Sequence, residues 1–193
     1  MEERIVNALT ALIDFDQIEL THFMTRLKPR KVKKNEFILE AGEVCKAMVI
    51  INHGGLRFFT ITEKGEQSHW FAFEGEWLGD YESFLTRQPS QHYIQALEDS
   101  EIFFLSYDDM QILYNYGVKF ERFGRLMAEN LFISIGRSRY ELANLSAEQR
   151  YLNLVKTYPN ISKRIQVQHI ATYLGIHPQS LSRIRKNIAG MKF

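Results

Sequence analysis

The sequence predicts an α+β protein: an N-terminal antiparallel β-roll of jelly-roll type, a long connecting helix and a C-terminal helical domain. Three observations predict it. Residues 30–107 hold short apolar, β-branched and aromatic runs broken by glycines, which is the pattern of many short strands with marked turns. The following segment, 119–145, keeps a helical period without a proline. Charge then changes sign along the chain. Residues 1–145 carry 16 basic and 22 acidic residues, net −6, whereas Ser146 onward carries eight basic residues and one acid, Glu148, net +7. A basic end on an acidic body suits a polyanionic partner.

In chain order, Ile5, Leu9, Leu12, Ile18, Phe23 and Leu27 give residues 2–27 helical spacing. "MVIINHGGLRFFTIT", Met48–Thr62, reads as strand, His-Gly-Gly turn, strand. Gly65 and Gly75 punctuate the next stretch. "YIQALEDSEIFFLS", Tyr93–Ser106, reads as two strands around a Glu-Asp-Ser turn. A helix then starts at "DDMQILYNYG", with Asp108 or Asp109 as its N-cap. In the long segment Phe120, Phe123, Met127, Leu131 and Ser134 recur at steps of three and four. A helix of about 27 residues is about 40 Å long, more than one small domain uses, so the stripe reads as a dimer seam. The other reading is a helix packed on its own β-domain, since the stripe degrades at Arg137 and Arg139. Ser146, with Gln149 three residues on, caps a fresh helix that Pro159 stops. The resulting domains are 1–117, 118–145 and 146–193.

The stretch "VQHIATYLGIHPQSLSRIRK", Val167–Lys186, meets every requirement of a helix-turn-helix. Ala171 is the small residue where two helices touch, and Gly175 supplies the turn. Ile170, Leu174, Ile176, Leu181 and Ile184 point inward, while Pro178 fits the first turn of a second helix beginning near His177. On its exposed face Gln179 and Ser180 donate and accept, and Arg183 can pair bidentately with guanine. Arg185 and Lys186 suit phosphates, which position without reading sequence. His177 belongs to the same end of the helix. Ser162, Gln168 and His169 reach the DNA backbone from the first helix or the loop before it.

Other chemistry is poorly supported. The single Cys45 forms no internal disulfide and supplies no iron–sulfur cluster. His22, His53, His69 and His92 show no paired spacing, so each reads as a surface or satisfied histidine, and no haem or metal site is expected. No His-x-His occurs, and Glu74 and Glu76 read as turn and surface residues, so an enzyme is not expected. No apolar run approaches the ~18 residues of a membrane span, and the acidic N-terminus does not read as a secretory signal. A cytoplasmic location is the expectation.

The order of parts, with "IQVQHIATYLGIHPQSLSRIRK" carrying most of the weight, resembles the Crp/Fnr family of bacterial transcription regulators over nearly the whole chain. The resemblance implies a cyclic-nucleotide-binding-like β-roll, dimerisation along the long helix and a winged-helix-type DNA-binding domain. It also implies a two-fold-symmetric promoter site, RNA polymerase as a partner and a small-molecule effector. No hairpin-forming segment follows the second helix, so DNA contacts from one are not expected. Members that bind cyclic AMP use a Gly-Glu pair and, after a short helix and loop, an Arg-Ser pair. "WLGDYESFLTRQPSQHYIQALEDS" matches that segment with Gly79-Asp80 for the first pair and Ser90-Gln91 for the second. A buried phosphate would lack its compensating cation, so cyclic AMP bound in the usual way is not expected. Arg87 could reach in only with a loop shift. The candidate ligand contacts are Gly79, Asp80, Tyr81, Arg87, Ser90 and Gln91. A different class of function, a small-molecule sensor acting through protein contacts with a degenerate DNA-binding end, is the alternative.

Overall fold

The computed structural model describes residues 3–190. Two helices, α1 (Glu3–Thr10) and α2 (Gln17–Arg26), precede strands β1 (Lys28–Val32), β2 (Phe37–Leu39), β3 (Ala47–His53), β4 (Leu56–Thr62), β5 (Gly65–Ala72) and β6 (Trp77–Leu78). Helix α3 (Tyr81–Thr86), strands β7 (Tyr93–Ala96) and β8 (Ser100–Ser106), and helices α4 (Tyr107–Tyr116) and α5 (Val118–Asn144) follow. The chain continues with α6 (Ala147–Thr157), α7 (Ile161–Arg164), α8 (Val167–Tyr173) and α9 (Pro178–Gly190). There are two compact units. One is Met1–Phe58 with Phe71–Leu131, and the other is Phe59–Trp70 with Phe132–Phe193.

The strands form two four-stranded sheets, ordered β1-β8-β3-β6 and β2-β7-β4-β5. Strand β8 is antiparallel to both β1 and β3, with Phe104 opposite Lys28 on one side and Val49 on the other. Strand β3 reads as an unbroken apolar run, and Met48–Asn52 are all buried because α1 covers it from outside with Ile5 and Leu9. The Gly-Gly turn joins β3 to β4 in a different sheet, and the Glu-Asp-Ser turn does the same for β7 and β8. Gly54 takes φ +98, and a Cβ there would lie 2.1 Å from Ser100 Oγ, so the crossing needs glycine. Glu74 and Glu76 support turns, accepting from the Gly54 and Phe73 amides at 3.0 and 2.8 Å.

Three local expectations need correction. The first helical segment is two helices, because Asp16 and Glu19 form a capping box that starts α2 afresh. Ile18 then falls in the first turn, ~140° around the helix from Phe23, and is 72 % exposed. Helix α4 is capped by Ser106, whose hydroxyl accepts from the Asp109 amide at 3.0 Å, and not by Asp108 or Asp109. Strand β8 runs to Ser106, so the helix starts immediately after it and both acids lie in its first turn, where they favour the dipole. The third correction concerns α5. Only its N-terminal part is buried: Phe120 lies 5.1 Å from Phe15, and Phe123 lies 5.1 Å from Phe23, edge to face. Farther along, Phe132, Ile133, Ile135 and Leu142 are exposed, Phe132 by 79 %. The stripe read from the sequence continues half-buried through Met127, Leu131 and Ser134, while these other apolar residues lie exposed outside it.

In the C-terminal unit α6 begins as its sequence predicts, with Ser146 and Gln149 in a reciprocal capping box. Tyr151, Leu154, Ile161, Ile165, Ile170, Ala171, Leu174 and Leu181 make its core. The short α7 had no separate sequence signal. Whatever follows Gly190, including Lys192 and any hairpin, lies outside the described residues.

Candidate functional site

Helices α8 and α9 build the helix-turn-helix around four side chains with no exposed surface: Ile170, Ala171, Leu174 and Leu181. Ile176 and Ile184, expected inside, are half-buried at the edge. Gly175 takes φ +66, which lets the Ile176 amide turn back onto the Ala171 carbonyl at 3.0 Å. Arg150 donates from Nη2 to the Leu174 carbonyl at 2.7 Å, supplying a partner that the C-terminal end of α8 lacks. One of the eight basic residues in this region thus serves the fold.

The outward side of α9 is polar. Gln179, Ser180, Arg183 and Lys186 are exposed. At ~100° per residue, Gln179, Arg183 and Lys186 share one stripe with Ser180 beside it. Ser182 and Asn187, absent from the sequence candidates, are exposed too, although the Ser182 hydroxyl donates to the Pro178 carbonyl at 3.0 Å. Helical periodicity alone would have placed both on this side. Arg185 is half-buried and lies ~160° around the helix from Arg183. His177 is exposed where α9 begins, and its carbonyl accepts from the Ser180 and Leu181 amides at 3.0 and 3.2 Å. On α8, Gln168 is exposed, but His169 is half-buried with Nδ1 4.0 Å from Glu66 Oε2. The Ser162 hydroxyl lies 3.1 Å from Tyr151 Oη. The helix pair therefore brings Gln168, His177, Gln179, Ser180, Arg183 and Lys186 to the surface together, while Ser162, His169 and Arg185 have structural surroundings.

The second candidate set gathers around Asp80, which is 5 % exposed and caps α3 by accepting from the Ser83 amide at 3.2 Å. The Ser90 hydroxyl donates to Asp80 Oδ2 at 2.6 Å, and His92 Nδ1 lies 3.0 Å from the same oxygen. Burial pushes the Asp80 carboxyl upward, but hydrogen bonds from His92, Ser90 and the Ser83 amide outweigh it and hold the group down at about 2. His92 also stacks on Phe58, with ring centres 4.3 Å apart. Arg87 takes a left-handed conformation at the end of α3. Its guanidinium donates to the Cys45 and Phe84 carbonyls, both at 3.2 Å, and lies over the Tyr107 ring at 4.7 Å. Tyr81 is half-buried and Gln91 is exposed. Burial pushes the Cys45 thiol above its ordinary value, which leaves little thiolate for chemistry. The sequence reading missed His92 as Asp80's partner. It also missed Arg57, buried on β4, whose Nε and Nη2 donate to Gln95 Oε1 at 3.0 and 2.6 Å. An arginine in an otherwise apolar strand was the available signal for the latter. Among the described residues no three His, Cys, Asp or Glu side chains converge as a metal site needs.

Residues 29–116 match the cyclic nucleotide-binding domain family. Electron transport regulator A of Shewanella oneidensis is 26% identical over 178 residues, covering 86% of this chain and 70% of that protein. The solved structure of FixK2 from Bradyrhizobium japonicum superposes with a TM-score of 0.72 at 14% identity, covering 85% of each chain. A regulator assigned to the Crp/Fnr family, from Eubacterium rectale, superposes with a TM-score of 0.70 at 16% identity over 95% of this chain and 88% of its own. The chain has the Crp/Fnr fold. In that Crp/Fnr fold the cyclic nucleotide-binding domain carries the Asp80 cluster, whose hydrogen-bond donors face a carboxylate. The Ser90 hydroxyl, where the sequence resemblance expects an arginine, is committed to a carboxylate. That carboxylate is charged at neutral pH, and Arg87 is engaged at Cys45, Phe84 and Tyr107. A phosphate brought here would meet an anion with no guanidinium against it.

Proposed function

We propose that this protein is a sequence-specific DNA-binding transcription regulator, acting as a homodimer and not as an enzyme. The observation that carries the reading is the polar face of α9, Gln179, Ser180, Arg183 and Lys186, on a helix whose inner side is fixed by the buried Ile170, Ala171, Leu174 and Leu181. Helix α9 enters the major groove with its N-terminal residues at base edges, while Gln168 and Lys186 meet phosphates. Two-fold symmetry sets the paired recognition helices ~34 Å apart, one DNA turn. The exposed apolar residues of distal α5 support the dimer, and promoter binding of this kind acts through RNA polymerase.

The effector is a molecule other than cyclic AMP bound in the usual way, because the Asp80–Ser90–His92 cluster offers no arginine to its phosphate. Selection of bound fragments from random duplexes, followed by anisotropy titration over a range of salt, tests the DNA reading. The expected result is one enriched two-fold-symmetric sequence whose affinity falls steeply with salt. Binding without sequence preference, or no binding, overturns it.

A further inference from the structure

The tip of the β4–β5 hairpin, Phe59–Trp70, belongs to the same compact unit as the helix-turn-helix. It touches α8 through several polar groups. Gln67 Nε2 donates to the Thr172 carbonyl, near the C-terminal end of α8. The Ser68 amide donates to Thr172 Oγ1 at 3.4 Å, and the Thr172 hydroxyl lies 3.0 Å from both Ser68 Oγ and the His169 carbonyl. Glu66 faces His169 at 4.0 Å. Ser68 is 2 % exposed, and its bonds with Thr172 are partly buried. The tip is itself braced. Thr60 Oγ1 and His69 Nε2 are 2.8 Å apart across the hairpin, and Thr62 Oγ1 donates to the Gly65 carbonyl at 3.1 Å. Gln168, one turn earlier on α8, and the polar residues of α9 stay exposed while these contacts are made.

We infer that Gln67, Ser68 and Thr172 are positioning residues for DNA binding: the hairpin tip clasps α8 and fixes how the helix-turn-helix presents α9. This rests on the DNA-binding reading above. A helix pair free to reorient would lose that freedom on docking, and a clasp formed beforehand reduces the loss. The clasp touches neither bases nor phosphates, so it sets affinity without setting preference.

Thr172→Val removes the hydroxyl at constant shape, and Thr172→Ser restores it. Three quantities are measured on the full chain: affinity for its selected duplex, salt slope and base preference. The exchange rate of the Ser68 amide is followed in free protein. Thr172→Val is expected to bind roughly tenfold more weakly, equivalent to about 1.4 kcal/mol. Its salt slope and base preference should match wild type, and Ser68 should exchange faster. Thr172→Ser should restore both affinity and protection, and Gln67→Ala should weaken binding in the same way. Wild-type affinity in Thr172→Val, failure of Thr172→Ser to rescue, or rapid Ser68 exchange in wild type overturns the clasp. If wild type selects no DNA sequence, the DNA reading falls, a distinct result.

Discussion

Arg183 and Lys186 lie three residues apart on one exposed stripe of α9, yet their expected contributions differ in kind. Arg183→Ala should cost about 1–3 kcal/mol on the selected duplex and relax preference at one base position, seen by competition with point-substituted duplexes. Lys186→Ala should weaken binding to all sequences alike and lower the salt slope by about one. Asp80 offers a stability test. Asp80→Ala removes the cap of α3, leaves the Ser83 amide without its acceptor and deletes the bond from the Ser90 hydroxyl, so urea unfolding at neutral pH should show a loss of about 1–2 kcal/mol. The carboxyl is held at about 2, below its ordinary range, so its contribution is complete above ~4 and disappears as pH falls through about 2. The difference between wild type and variant should shrink over that window. At this scale the exposed polar face of α9 was legible in the sequence, because helical period and residue chemistry suffice to place it. The Asp80–His92 pair was not, because His92 becomes a partner only when a loop returns it to α3.

Helix α5 is where element-level reasoning met its limit. Its length was readable from 27 residues without proline, and the structure gives Val118–Asn144. Its burial was not. Phe120 and Phe123 sit among Phe15, Phe23 and Trp77, whereas Phe132, Ile135 and Leu142 lie exposed at steps of three and seven. If that exposed face is the dimer seam, Phe132→Glu combined with Leu142→Glu should convert a dimer to a monomer in sedimentation equilibrium, with circular dichroism unchanged. A wild-type chain that sediments as a monomer at micromolar concentration would reject the seam. Hydrophobic spacing locates an apolar face but does not say which neighbour covers it, and α5 shows both outcomes on one helix.

For the molecule as a whole, the proposal to test is that its effector is not cyclic AMP bound in the usual way. Cyclic AMP at millimolar concentration should leave the melting temperature unchanged, because a ligand stabilises only in proportion to its binding. A concentration-dependent rise would show that the Asp80 cluster rearranges to accept phosphate. The sequence by itself determined the strand-rich N-terminal region, the long helix, the α6 capping box and the helix-turn-helix with its polar face. Each is set by interactions within a few residues, so local period and capping chemistry specify it. The tertiary structure alone decided three things. It placed β3 and β4 in different sheets, closed Ser90 onto Asp80, and brought Ser68 against Thr172, 104 residues away. Such contacts join segments whose local patterns are independent of one another. They form because the packed chain must bury its apolar faces and satisfy the polar groups that this burial removes from water.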